Sequence, residues 1–398
     1  MNRRLFIGAA IGFSSLGFAA KKRSSSFRMG VVGGGIVGAA IAMRCARGGA
    51  KVTLLEKNSP AAGATSKSFA WINPFVDDPH YMKMRLDALK HWQAIDQPLG
   101  MNVIWGGYLG FTDRIEDRGR MAIQSRHLAE NGQPTRSIDV ETLKQLSPAI
   151  NPGVLIEATW SRLGGHVDPV HATQRLLAAA KGAGAQVLYP CPVTAIEVAE
   201  RGVTVVTPQG RLQFDHLVIA TGVDAPKMVE PLGFTLPLLH RPGALVHSKP
   251  LPIMTRFVYD GPGELEWKQA ANGSVIGLET PNPPPIPAHA EIREHAVDFP
   301  PGVAEMHGKR ILSKFARYMP GLARAEVDFV TLGFRPMPSD GFPVVGPIPG
   351  VPGVSLCVTH SGVTLAALLG DYMANELIAG QEEQMLKPYR PTRLLRAG

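Results

Sequence analysis

Three observations predict an α/β fold in which a parallel nucleotide-binding sheet is interleaved with a second domain. The first is a strand, a glycine-rich turn, a helix and another strand ending in an acid, between Met29 and Lys57. The second is a buried run from Phe214 to Ile219 that ends in the small-residue turn Ala220-Thr221-Gly222. The third is an apolar strand, Val354 to Val358, followed by Thr359-His360-Ser361-Gly362 and a helix to about Ile378. In such folds ligands bind where the strands end. The intervening stretches are strand-like or amphipathic, which fits an antiparallel-sheet α+β domain inserted into the nucleotide fold.

The first stretch is the most informative. Val31-Val32-Gly33-Gly34-Gly35-Ile36-Val37-Gly38 carries the G-x-G-x-x-G spacing at Gly33, Gly35 and Gly38. Gly33 permits the tight turn, Gly35 leaves room for a pyrophosphate, and Gly38 lets the helix pack closely on the sheet. The helix N-terminus turns unpaired N–H groups and a partial positive charge toward the phosphates. The spacing predicts a helix over 36–47, stopped at Gly48-Gly49, and a strand over 51–56. Glu56 falls ~20 residues after the turn, where a carboxylate accepts the ribose hydroxyls of an adenosine and disfavours a 2′-phosphate. A Rossmann-like unit follows.

Composition narrows the function classes. A chain of 398 residues suits two domains, and 45% hydrophobic with 19% charged residues is ordinary for a globular protein. The formal charge of +8 is partly concentrated near the N-terminus. No basic stripe interleaved with aromatics supports nucleic-acid binding. Residues 1–26 read as a secretory signal: Arg3-Arg4 precede an apolar run to about Ala20 that is too short and broken to span a bilayer comfortably. The arginine pair points to the twin-arginine route and an exported, periplasmic protein; an uncleaved membrane anchor or a tail is the alternative. Cys45, Cys191 and Cys357 read as core thiols, and neither the cysteines nor the histidines show a metal-ligand spacing, so no metal is expected.

Beyond Glu56, Ser59 to Asn73 is a loop of small and hydroxyl residues in which Thr65, Ser66 and Ser68 can hydrogen-bond a ligand. The periodicity of Met82, Leu86, Leu89 and Trp92 predicts an amphipathic helix over 79–95. A strand over 103–111 and a helix over 113–133 are expected next. Asp168 caps and Pro169 opens a helix to about Lys181. Strands are expected at 186–189, 193–198, 203–207 and 214–219. His166 reads as structural rather than catalytic. Further strands are expected at 243–247, 264–268 and 274–278, a proline-bound loop at 281–287 and a helix at 303–318. The partition is 28–96, 165–236 and 331–385 for the nucleotide domain, and 97–164 with 237–330 for the other.

Taken together, the fingerprint at 33–38, Gly-His-Val-Asp-Pro at 165–169, Ala-Thr-Gly at 220–222, Gly-Phe-Arg-Pro at 333–336 and Thr-His-Ser-Gly at 359–362 resemble the D-amino-acid oxidase superfamily of FAD-dependent amine oxidoreductases. That superfamily includes glycine oxidase, sarcosine oxidase and D-amino-acid dehydrogenases. The resemblance covers Arg28 to about Gly380 and is loosest in the middle third. It implies that Gly33, Gly35, Ile36, Val37 and Gly38 hold the FAD pyrophosphate and that Glu56 and Lys57 sit at the adenosine ribose. It places Thr65 and Ser66 at the phosphates or the isoalloxazine edge, Val193 at the adenine through its backbone, and Ala220, Thr221 and Gly222 at the second nucleotide-side turn. His360, Ser361, Gly362, Val363 and Thr364 would line the pyrimidine side of the flavin, where a helix dipole stabilises charge.

By the same resemblance Arg335 clamps a substrate carboxylate, which its fork geometry suits, unless it forms a structural salt bridge. Lys268 and His360 are candidate positive groups near the flavin N5. The implied reaction is hydride transfer from the amine-bearing carbon of a small amine or amino acid, giving an imine, with oxygen or a quinone as final acceptor. Relatives that attach flavin covalently use a cysteine near the Gly-Phe-Arg-Pro segment; none occurs within 333–343, so non-covalent FAD is favoured, with Cys357 the remaining possibility. A flavoenzyme for a hydroxy acid and a non-enzymatic flavin-bearing or electron-transfer protein are the alternative readings.

Overall fold

A computed structural model describes residues 26–280, 299 and 302–395. The expected signal at 1–26 thus falls outside the described residues except for its last position, and so does the proline-bound loop at 281–287. In chain order the elements are β1 (Arg28–Val32), α1 (Ile36–Arg47), β2 (Lys51–Leu55), β3 (Trp71–Ile72), α2 (Pro79–Leu99), β4 (Tyr108–Thr112), α3 (Ala122–Glu130), β5 (Arg136–Ser137), α4 (Val140–Leu146), β6 (Glu157–Ser161), β7 (Gly165–His166) and α5 (Pro169–Gly182). There follow β8 (Gln186–Leu188), β9 (Ala195–Val198), β10 (Val203–Thr207), β11 (Gly210–Phe214), β12 (His216–Ile219), α6 (Ala225–Val229), β13 (Leu238–Ser248), β14 (Val258–Gly261), β15 (Leu265–Gln269) and β16 (Val275–Glu279). The chain closes with α7 (Val303–Tyr318), β17 (Val327–Pro338), β18 (Val344–Pro347), β19 (Val354–Val358) and α8 (Gly362–Ala374).

One sheet has six strands in the order β18-β19-β12-β1-β2-β8, parallel except for β18. Its strands are mostly apolar because both faces are covered. Val31, Leu54 and Val218 enter the core formed with α1, α2, α5 and α8. Their neighbours Val32, Leu55, Leu217 and Ile219 enter a second core with the antiparallel β9–β10–β11 sheet. The alternation of side chains along each strand thus sends consecutive residues to opposite layers.

The other large sheet runs β17-β13-β16-β15-β14-β4-β6-β5. Helix α7 covers one of its faces, where Trp267 stacks on Tyr259 at 4.9 Å and meets Phe315 at 5.3 Å. A Cβ at Gly277 would lie 2.4 Å from the Phe315 ring, so glycine is what lets α7 approach. Since Trp267 faces α7, Glu266 and Lys268 on either side of it face away. The register places Arg335, Asp260 and Tyr108 on that same outer face. β17 runs across the 330/331 division expected from the sequence and pairs along almost its full length with β13.

Several expected elements differ. The strand expected at 103–111 begins only at Tyr108, because Gly107 takes φ +80° and Gly106 lies against the Arg256 backbone, where a Cβ would meet a carbonyl at 1.8 Å. The helix expected at 113–133 shrinks to α3, since Gly119 at φ +77° breaks it. Phe214 belongs to β11 rather than to the buried strand β12, with Asp215 turning between them and accepting the Arg28 N–H at 2.7 Å. Helix α2 extends past Ile95 to Leu99, carrying Pro98 in its last turn before Gly100 ends it at φ +62°. Helices α1, α5 and α7 match their expected spans to within a residue. Asp168 caps α5 by accepting the N–H groups of Val170 at 2.9 Å and His171 at 3.0 Å. All three cysteines are free and buried.

Candidate active site

A cleft of about 630 Å³ opens at the carboxyl ends of β1, β2, β12 and β19. Gly33, Gly35, Ile36, Val37, Glu56, Lys57, Thr65, Val193, Ala220, Thr221, Gly222, His360, Gly362 and Val363 all line it. Residues more than three hundred positions apart in sequence meet there because β1 and β19 flank β12.

The three fingerprint glycines do different work. Gly33 has φ +110°, and a Cβ would stand 2.4 Å from the Ala220 carbonyl oxygen. A Cβ on Gly38 would stand 2.0 Å from the Gly33 carbonyl oxygen, so Gly38 holds α1 against the turn and lies off the cleft wall. Gly35 is different: the nearest atom to its Cβ would be the Thr65 Oγ1 at 3.1 Å, and the cleft lies beyond. Space at Gly35 is therefore kept for something other than this chain's own packing. The Thr221 hydroxyl is buried beside the same cleft and has no partner among the described residues. A glycine cradle and an unsatisfied hydroxyl fit a dinucleotide laid across the turn.

Glu56 is fixed before any ligand arrives. Its Oε2 accepts the Gly34 N–H at 2.7 Å and its Oε1 the Asn58 N–H at 2.8 Å, which leaves further lone pairs for ribose hydroxyls. Thr65 accepts the Ile36 N–H at 3.1 Å and so ties the 59–73 loop to the start of α1. Lys57 bonds Asp224 at 2.7 Å, and both side chains line the cleft. At the far end, Trp92 donates to the carbonyls of Val363 at 2.9 Å and Thr364 at 3.1 Å, and the Thr364 hydroxyl donates to the Trp71 carbonyl at 2.9 Å. These bonds aim the first turn of α8 at the cleft. Thr364 therefore supports the wall from behind, and Ser361 lies off the lining, its N–H donating to the Thr359 hydroxyl at 3.1 Å. The Ser66 hydroxyl turns to the Gly63 carbonyl, and it is Ser68, donating to the Thr65 carbonyl at 2.8 Å, that lines the cleft instead.

His360 is an exposed residue on the cleft wall. Arg335 and Lys268 come from the outer face of the eight-stranded sheet, and Pro336, next to Arg335, reaches the cleft. Lys268 is 2% exposed, its ammonium 5.3 Å from the centre of the Phe69 ring in the loop that carries Thr65 and Ser68. Burial pulls this lysine down to about 7, opposed by the charge of Asp168. Burial and the nearby Lys268 charge push His166 well below the usual imidazole range, and His247 down to about 4. His166 is a buried residue of β7. Cys357 lines the cleft, and burial raises its thiol to about 12.

Asp260 and Glu266, on the same outer face, escaped the sequence reading. Glu266 sits in a segment that reads simply as strand and Asp260 in one where no strand is expected, and only the pairing of β14 with β15 reveals that they oppose each other. No group of metal-ligating side chains occurs among the described residues, and no described helix is long and apolar enough to cross a membrane.

A parallel sheet with a glycine cradle, a fixed acid on the second strand and a cleft at the strand ends defines a dinucleotide-dependent enzyme built on two sheets. The chain belongs to the DAO family, FAD dependent oxidoreductase, whose model matches residues 28–376. Its cofactor is FAD. It is 25% identical over 377 residues to dimethylglycine dehydrogenase, mitochondrial, of Homo sapiens, covering 88% of this chain and 42% of that protein, so the chain spans about two fifths of that relative. It is 24% identical over 362 residues to glycine oxidase of Bacillus licheniformis, covering 87% of this chain and 92% of that one. The fold is shared with L-proline dehydrogenase from P. horikoshii, with a TM-score of 0.83, 21% identity and coverage of 92% and 97%.

Proposed function

We propose that this FAD-dependent oxidoreductase oxidises a small amine or amino acid to an imine and passes the electrons to oxygen or a quinone. The observation that carries this reading is the course of β17: Arg335 stands on the outer sheet face with Lys268, and the next residue, Pro336, is part of the cleft wall. A carboxylate-binding guanidinium is thereby set beside the seat of the cofactor. FAD supplies a hydride acceptor at its N5. Gly33, Gly35, Ile36 and Val37 with the first turn of α1 take the pyrophosphate, Glu56 the ribose, Val193 the adenine, and the first turn of α8 the pyrimidine edge. Arg335 holds the carboxylate and fixes which hydrogen faces the flavin. Lys268 holds or releases a proton on the same face.

Non-covalent attachment agrees with Cys357, whose buried thiol stays protonated and so is a poor nucleophile. The relatives named dimethylglycine dehydrogenase and glycine oxidase favour an amine substrate over a hydroxy acid. Replacing Arg335 by Met tests the clamp. The account expects normal flavin content and kcat/KM lower by about a hundredfold for amino acids, in line with losing a charged hydrogen bond. Unchanged turnover of every carboxylate substrate would remove the clamp. The Arg3-Arg4 leader supports twin-arginine export to the periplasm; export that persists after both become Lys would count against that route.

A further inference from the structure

The outer face of the eight-stranded sheet carries more charge than a carboxylate clamp needs. Asp260 on β14 and Glu266 on β15 are directly opposed in the antiparallel register. Like charges so placed repel, so each of the two needs a counter-charge or a proton. Asp260 is neutralised by this chain: Arg120 bonds its Oδ1 at 2.6 Å and the Tyr108 hydroxyl donates to its Oδ2 at 3.2 Å. Glu266 is not. No hydrogen bond or ion pair reaches its half-buried carboxylate among the described residues. The charged groups that face it are Asp260, Arg120, Arg335 and Glu264. Burial first, then Asp260, raises it to about 8.

A second charge is buried on the same face. Lys268, two residues along the same strand and on the same face, is 2% exposed and makes no hydrogen bond among the described residues. Its ammonium lies over Phe69 and feels Asp168, whereas Glu266 stands with Asp260 and the arginines. The two neighbours on β15 therefore serve different ends of one surface.

The register also limits what can reach Glu266. Glu266 pairs with Leu278, and continuing through β13 brings that row to Thr331, four residues before Arg335 on β17. Three strands and four residues at ~4.8 Å and ~3.4 Å each put the two backbone positions roughly 20 Å apart, and the two long side chains close enough of that gap for the Arg335 charge to be felt at the Glu266 carboxylate. In an α-amino acid only one carbon separates the carboxylate from the reacting nitrogen. A substrate gripped by Arg335 meets Glu266 with a group farther along the molecule. We propose that Glu266 is a specificity-determining residue that receives a second, cationic group of the substrate, a basic side chain or basic N-substituent lying several bonds from the reacting amine. The substrate cation gives Glu266 the directly bonded partner that Arg120 gives Asp260, where Arg120 and Arg335 act on Glu266 only through space.

This inference rests on the amine-oxidising reading of the site, and the experiment separates the two. Steady-state and anaerobic flavin-reduction kinetics are measured for lysine and arginine against their neutral counterparts norleucine and citrulline, both enantiomers of each, with the holoenzyme and with Glu266→Gln and Glu266→Asp. The parent should show a KM about ten- to a hundredfold lower for the basic compounds, the size of a hydrogen bond to a charged group. Glu266→Gln should abolish that preference while flavin content and kcat for norleucine stay unchanged, and Glu266→Asp should retain part of it. Equal KM values for basic and neutral compounds in the parent, or a preference that survives Glu266→Gln, would overturn the inference and leave the amine-oxidising reading standing. Failure of every amine to reduce the flavin would overturn both.

Discussion

The two large sheets solve opposite problems. On the parallel sheet the polar side chains at the cofactor cleft are mostly held by short bonds, Glu56 by two backbone N–H groups, Thr65 by the start of α1 and Lys57 by Asp224, with the Thr221 hydroxyl the exception among the described residues. On the outer face of the antiparallel sheet, charges are buried with few partners, and burial moves Lys268 down and Glu266 up toward neutrality. The cofactor seat is thus preformed by backbone geometry, whereas the face proposed to meet the substrate keeps charges whose ionisation would depend on what arrives. The difference fits the proposed division of labour, in which FAD, a constant partner, would be met by glycines and amides and the variable partner by titratable side chains.

The strongest way to break this comparison is at the fingerprint glycines. Gly38→Ala drives a methyl to 2.0 Å from a carbonyl oxygen. Overpacking of this kind costs about 1–3 kcal/mol or more, so both thermal stability and flavin content should fall. An unshifted melting curve would show that α1 does not need its close seat.

Gly35→Ala sharpens the contrast. Its methyl meets only the Thr65 hydroxyl within 4 Å, and alanine caps α1 less well than glycine, so the fold should lose about 1 kcal/mol or less. FAD affinity should nevertheless drop by on the order of tenfold, through lost contact between the ligand and the turn. Calorimetric titration of the apoprotein checks this, and equal affinity in parent and variant would mean the pyrophosphate runs elsewhere.

A smaller effect is expected at Lys268. Because burial depresses it from 10.5 to about 7, the unfolded chain binds more protons than the folded one between those values. The destabilisation is fully present below pH 7 and is relieved as pH rises toward 10.5. Compared with the parent, Lys268→Met should be more stable at pH 6 by an amount that shrinks toward pH 10, read from urea midpoints. A difference between the two that does not change with pH would place the lysine in water.

The nucleotide side of this arrangement was legible in the sequence because its demands are local. A positive φ, a close helix and a carboxylate at the end of a strand each leave a residue-type signature at fixed spacing, and helix α1 came out at its expected bounds. The substrate side was legible only in part. Arg335 and Lys268 stood out, but no strand is expected over 327–338, where Gly333, Pro336 and Pro338 interrupt the apolar pattern that pairing on β13 tolerates. Ser68 displaced Ser66 at the cleft because the direction of a hydroxyl in an irregular loop depends on the carbonyls around it. The opposition of Asp260 and Glu266 depends on strand register, which spacing along one strand does not encode.

The central claim is that a flavin in the cleft is reduced by an amine held on the charged sheet face. The most direct test is the absorbance spectrum of the purified protein without residues 1–26, followed anaerobically while D-amino acids, glycine, N-methyl amino acids and hydroxy acids are added in turn. The account predicts a flavin band bleached by an amino compound and restored by air or a quinone. A band bleached by hydroxy acids alone, or by none of these compounds, would contradict it.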